Sequence, residues 1–167
     1  MKRIVLLIIL LSLIVLGQKG WDYYTKYRHA KRLKIGVDSV KLPKLNLTSL
    51  FSEVAAVVYL KITNFSESVF ELQQIKIEVY SPNGYLVAEQ TEPLAQTIRI
   101  EPNQKNILPL SFLISPTKFK ALIKEAGGVV NVGASYLTEG NYGIPLNLRG
   151  FVVAEGVTIS VNEKLVV

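Results

Sequence analysis

Leu72-Gln73-Gln74-Ile75-Lys76-Ile77-Glu78-Val79-Tyr80 runs directly into Ser81-Pro82-Asn83-Gly84, and Tyr85-Leu86-Val87-Ala88-Glu89 follows. Ile75, Ile77 and Val79 alternate with Lys76, Glu78 and Tyr80, the period of a strand with one buried face. Pro-Asn-Gly is hairpin chemistry, because proline presets its own φ while asparagine and glycine accept positive φ. The segment is therefore a strand, a tight turn and a returning strand. Working outward, Glu53 to Thr63 repeats the pattern, with Val54, Ala56, Val58, Leu60 and Ile62 opposed to Tyr59, Lys61 and Thr63. Gly36 to Lys41 reads as an earlier short strand, Ile98 to Ile100 as a later one. Ile107 to Ile114 places Leu108, Leu110, Phe112 and Ile114 on one side. Pro109 in that run marks an edge or a bulge, since it cannot donate to a ladder.

Between these strands and the C-terminus the texture changes once. Ser115 and Pro116 suit the start of a helix, Gly127-Gly128 its end, and Phe119, Leu122, Ile123 and Ala126 its buried side. Val129 to Thr138 alternates again through Val130, Val132, Ala134 and Tyr136 and is expected as a strand. Ile144 to Val161 supplies one or two closing strands, interrupted near Gly156. These elements predict a mainly β protein: an immunoglobulin- or fibronectin-like antiparallel β-sandwich with one short helix, preceded by an N-terminal hydrophobic helix. Two units follow, residues 1–34 as hydrophobic helix and basic stalk, and residues 35–167 as the sandwich.

The front of the chain has a different chemistry. Ile4, Val5, Leu6, Leu7, Ile8, Ile9, Leu10, Leu11, Leu13, Ile14, Val15 and Leu16 form an apolar run broken only by Ser12, and the next charge is Lys19. As a helix the uncharged stretch spans about 22 Å, short of a bilayer core of about 30 Å. Extension through Trp21, Tyr23 and Tyr24 brings it near full thickness and sets three amphipathic rings at a headgroup boundary. A single-pass membrane anchor is therefore expected, with a bilayer as partner. Two alternatives compete: a secretory signal cleaved before Gln18, and a hydrophobic tail buried in a protein assembly. The charge flanks point to opposite membrane sides. Lys26, Arg28, Lys31, Arg32 and Lys34 follow in a segment free of Gly and Pro, a continued helix able to contact anionic lipid or another polyanion.

Charge confirms this division. The chain has 167 residues, 19 Lys+Arg and 13 Asp+Glu, a net charge of +6. Eight of the basic groups and two of the acidic ones fall in residues 1–40, leaving the remainder neutral. A phosphate-binding face over the whole domain is excluded, and nucleic acid is unexpected except through the stalk. With no cysteine, and with its one histidine, His29, in the basic stalk rather than in the sandwich, the chain is not expected to assemble thiol catalysis, zinc–thiolate ligation, a multi-histidine metal site or a histidine-based triad. Glu67 with Glu71, and Glu89 with Glu92, lie at turns without a companion motif. Asn46-Leu47-Thr48 and Asn64-Phe65-Ser66 match the glycosylation tripeptide formally and receive no function. Tyr59, Tyr80, Tyr85, Phe65 and Phe70 are candidates to gather on one side. No catalytic, cofactor or metal residue is expected.

The succession Leu60-Lys61-Ile62-Thr63-Asn64-Phe65-Ser66, then Ile75 to Tyr80 with Ser81-Pro82-Asn83-Gly84-Tyr85, then Ile107 to Ile114, Pro116, Ile144-Pro145-Leu146 and Val157 to Val161, resembles the late-embryogenesis-abundant type 2 family, or WHy domain, over residues 36–161. Asn64 keeps the family's Asn-Pro-Asn-like element, and Phe65 stands where proline is expected. The resemblance implies a sandwich fold and a non-enzymatic role in stress protection or scaffolding. Relatives with a hydrophobic N-terminus extend this to an envelope or virion component. The expectation is a non-enzymatic structural module with a protein partner or homo-oligomeric assembly, anchored in a membrane or a virion membrane.

Overall fold

The structure, a computed structural model, describes the backbone of residues 2–43 and 47–167 and the side chains of residues 15–43 and 49–167. Asn46 and the side chains of Leu47 and Thr48, of the first matching glycosylation tripeptide, and the side chains of Ile4 to Ile14 lie outside the described residues. The protein is mainly β, with two antiparallel sheets and short helices. Helix α1, Lys2–Ala30, comes first. Strands β1 (Leu33–Lys41), β2 (Val54–Asn64) and β6 (Lys105–Ile114) pair in the order β1-β2-β6. The second sheet holds β3 (Phe70–Tyr80), β4 (Leu86–Glu89), β5 (Ile98–Ile100), β7 (Pro145–Ala154) and β8 (Val157–Val166). Its order is β4-β3-β7-β8, and β5 shares the edge of β3 that β4 occupies. Helices α2 (Pro116–Glu125) and α3 (Gly128–Glu139) lie between β6 and β7.

Alternation decides which side chains meet. Along β2 the even positions Val54 to Asn64 are buried and the odd ones are not, as the sequence pattern requires. Leu60 and Ile62 of the first sheet and Leu72, Ile77, Leu148 and Val152 of the second share one core, each without exposed surface. Burying one such side chain stabilises the fold by about 1.5–3 kcal/mol. Helix α2 closes one end by inserting Phe119, Leu122 and Ile123. Ser115 is its N-cap in extended conformation, Pro116 its first residue, and Gly127 its left-handed exit at φ 89°.

Four expectations need correction. Among the described residues no helix is long and apolar enough to cross a membrane, which overturns the single-pass anchor and the virion-membrane placement expected from Ile4 to Tyr24. The physical reason lies in the second half of α1, where Lys19 and Asp22 fall among the positions that had to complete the span and Lys26 and Arg28 follow directly after it. The basic segment leaves the helix sooner than expected: α1 ends at Ala30, and Lys34 belongs to β1, whose Leu33 is already core. Val129 to Thr138 is helix α3 rather than a strand, so two helices, not one, interrupt the sheets. Of the alternating set only Val132 is buried. Gly127, Gly128 and Gly140, all at positive φ, frame a local helix there, and no sheet edge receives the segment.

Gly150 shows how tightly the second sheet is drawn. It pairs with Ile77, and a Cβ built on it would collide with the Lys76 carbonyl oxygen and come within 2.9 Å of the Ile77 Cα. Both obstacles are backbone, so the sheet itself must shift. Gly150→Ala is expected to lower unfolding free energy by about 2–4 kcal/mol, measured by urea denaturation; a loss under about 0.5 kcal/mol would contradict the close approach.

Candidate interaction surfaces

Two places outside the core carry unusual chemistry, one at each end of the sheets. The first is the base of α1. Ala30 is buried, and Tyr27, Lys31 and Leu33 meet Val157, Thr158 and Ile159 of β8 around a groove of about 240 Å³. Earlier in the helix Val15, Leu16, Trp21, Tyr23 and Tyr24 are all exposed, so α1 leads away from the sheets. The rings of Trp21 and Tyr24 lie 6.1 Å apart, and with Arg28, His29 and Arg32 they line an open groove of about 390 Å³. Lys26 reaches Glu155 at 4.0 Å, and Lys31 sits 4.7 Å over the Tyr27 ring. The expected cationic cluster is thus divided. Arg28 and Arg32 share the groove, Lys26 and Lys31 turn to partners within the chain, and Lys34 is a strand residue opposite Thr63.

Beside the base of α1 lies a buried amide. Asn64 ends β2 with no exposed surface. Its Nδ2 donates to the carbonyls of Ser68 (2.7 Å), Glu101 (3.2 Å) and Ile100 (3.3 Å), and its Oδ1 accepts from the Ser66 N–H (2.9 Å) and hydroxyl (2.7 Å). This one side chain joins the ends of β2 and β5 to the turn before β3. Ser68 Oγ then lies 3.3 Å from His29 Nδ1 on α1, and the Phe65 N–H donates to the Arg32 carbonyl at 3.1 Å. The network satisfies its own donors and acceptors, which is the condition for burying polar groups without large cost. Since Asn64 is buried, the second glycosylation tripeptide presents no acceptor at the surface.

The second place is α3, beyond the opposite ends of β1 and β8. Val40, Leu42, Val166 and Val167 line a groove of about 320 Å³ with Tyr136 and Tyr142, whose rings stack at 4.7 Å. Past it, α3 turns an uncovered face outward, with Val130 82% and Leu137 86% exposed. The spacing Val130, Gly133, Ala134, Leu137 is a helical stripe; read at period 3.6 instead of 2 it would have revealed this surface in the sequence. The aromatic residues named as candidates to gather are spread over the fold. Phe70 is core, Phe65 is exposed beside Asn64, Tyr59 lies under Lys41 on the first sheet, and Tyr80 pairs with Arg149 on the second.

Outside these places Tyr80 donates its phenol to Glu78 at 2.7 Å. That bond, followed by the bond to Lys76, holds the Glu78 carboxyl below its usual range, and the same bond pushes the Tyr80 phenol up. Among the described residues no group of three His, Cys, Asp or Glu is arranged to hold a metal.

No family model and no curated protein matches the chain. Solved structures similar to it include a FixG-related protein from Vibrio parahaemolyticus, at 17% identity over 81% of this chain and 95% of that one, with a TM-score of 0.39. A protein from Arabidopsis thaliana, solved in solution, is 12% identical over 80% of each chain with a TM-score of 0.47. A β-glucuronidase of Bacteroides uniformis is 9% identical over 80% of this chain and 13% of that one, at 0.41. Likenesses at this level carry no argument about family or function.

Two predictions test the local chemistry. Asn64→Asp places a carboxylate among three carbonyls, so stability at pH 7 should fall by about 3 kcal/mol or more. That carboxyl titrates above its unfolded value in the folded chain, so part of the loss returns as pH falls toward 4 and the acid supplies one donor; equal losses at both pH values would contradict the network. Tyr80→Phe should raise the Glu78 pKa followed by carboxyl NMR. Because the folded value is depressed, the bond's contribution exists above the unfolded Glu pKa and disappears as pH falls through the folded one; an unchanged titration would count against it.

Proposed function

We propose that this chain is a non-enzymatic structural and interaction module of late-embryogenesis-abundant type 2-like fold, an immunoglobulin- or fibronectin-like sandwich that presents its two ends to protein partners in an assembly. The observation that carries this reading is the outward face of α3. Exposing Val130 and Leu137 forgoes about 1.5–3 kcal/mol for each relative to burial, and neither contributes to the core. An apolar patch kept at the surface of a fold that does not need it is the mark of a surface with something to meet.

The polar chemistry supports the same reading. The most elaborate buried network, around Asn64, is spent on joining strand ends and on docking α1. Its members are an amide, hydroxyls and backbone carbonyls, with one serine–histidine contact at the margin, Ser68 Oγ to His29 Nδ1, which serves to tie the turn before β3 to α1. Arg28 and Arg32, beside Trp21 and Tyr24, fit a polyanion as a secondary contact of the α1 end.

Sedimentation velocity of the intact chain across a wide concentration range tests the reading. Concentration-dependent association is expected, and most of its strength should survive high salt, because the α3 face bears no charge between Gly128 and Thr138. A chain that stays monomeric throughout would contradict it.

A further inference from the structure

We infer that the uncovered face of α3 is the docking site for the apolar run Ile4 to Leu16 of a second copy of this chain, laid antiparallel along it, so that copies join head to tail. The inference rests on the interaction-module reading above and names the partner. The shape of the face comes first. Val130, Gly133, Ala134 and Leu137 fall at i, i+3, i+4 and i+7, with the two small residues in the middle and the two large ones at the ends. Such a stripe lets another helix approach closely while the flanking side chains grip it. Its occupant must be apolar, uncharged and about as long as α3, whose twelve residues span about 18 Å.

Apart from α3 itself, which is also uncharged from Gly128 to Thr138, one long apolar segment outside the sheets fits that description. Ile4 to Leu16 is uncharged, and as helix spans about 20 Å. Its flanks fix the direction. Lys2 and Arg3 precede it and Lys19 follows, whereas Glu139 ends α3 beside its C-terminal carbonyls and Glu125 ends α2 just before α3 begins. Laid antiparallel, the run brings Lys2 and Arg3 to Glu139 and to the negative end of the helix, and Lys19 toward Glu125.

Geometry excludes the same copy as donor. The base of α1 packs on Val157 and Thr158 at the start of β8, while the α3 groove takes Val166 at its end. Ten residues of strand hold the two places about 30 Å apart. The exposed side chains from Val15 to Tyr24 carry α1 away from the sheets. A donor at one end and an acceptor at the other make a heterologous contact, which repeats from copy to copy.

Two full-length double variants test this by sedimentation velocity. Val130→Asp/Leu137→Asp removes the acceptor, and Ile9→Asp/Leu13→Asp removes the donor. Each alone should be monomeric, with association weakened about a hundredfold or more. Mixed, they should form a 1:1 heterodimer, because each keeps the half the other lacks. The acceptor variant should melt within about 2 °C of the parent, since both sites are exposed. Self-association of either variant alone, or failure of the pair to combine, overturns the inference while leaving the interaction-module reading intact. A parent chain that never associates removes both. Flotation of the parent with phosphatidylcholine vesicles, lost in the acceptor variant, would assign the face to lipid and also overturn the inference. Glu139→Lys should weaken association about tenfold and regain it with a Lys2→Glu/Arg3→Glu partner; no recovery overturns the antiparallel arrangement.

Discussion

The structure depends on a meeting of two sheets whose inward side chains leave room for nothing else. Leu60 and Ile62 from one and Ile77, Leu148 and Val152 from the other are sealed completely. Antiparallel pairing then does more than stabilise the fold. It separates the ends of each strand by the strand's full length, so whatever is attached at Leu33 or Val157 cannot reach whatever is attached at Lys41 or Val166. The placement of α1 and α3 at opposite ends is a consequence of this constraint.

Each end solves a different problem. Where α1 enters, several strand ends and turns come together, and their carbonyls need donors. Asn64 supplies them from a single side chain, with Ser66 completing its acceptor side and Ser68 passing the contact on to His29. Glu155, held at φ 52° in the β7–β8 turn, adds a second tie by accepting the Glu71 N–H and facing Lys26. At the other end α2 plugs the core with Phe119, Leu122 and Ile123, and α3 lies outside it with little to bury but Val132. One end is thus stitched with polar groups and the other is left apolar.

Much of the β architecture was legible because period 2 is unambiguous where one face is buried. Ile75, Ile77 and Val79, and Val54 through Ile62, pointed inward as their alternation required, and the Pro-Asn-Gly turn fell at its hairpin. The failure at Val129 to Thr138 has a physical cause. A Val-Val-Asn-Val sequence alternates as well as a strand does, and the Gly127-Gly128 pair that ends α2 also opens α3. The same error hid the α3 stripe. At the front of the chain, the length of the apolar run suggests a lipid-spanning helix, but the positions needed to complete the span carry Lys19 and Asp22, with Lys26 and Arg28 directly beyond. Asn64 stands out in the sequence only by its place in a resemblance; its role as an amide joining the strand ends depends on the fold bringing Ser68, Ile100 and Glu101 beside it.

Since the chain has no cysteine of its own, site-directed disulfide crosslinking reads the contact between copies most directly. With Leu137→Cys and one cysteine placed between Ile4 and Leu7 in the same chain, mild oxidation should yield a ladder of covalent multimers, and neither substitution alone should do so. Dimers from Leu137→Cys alone, or an internal disulfide confined to monomers, would contradict an arrangement in which one copy's first residues lie on the next copy's α3.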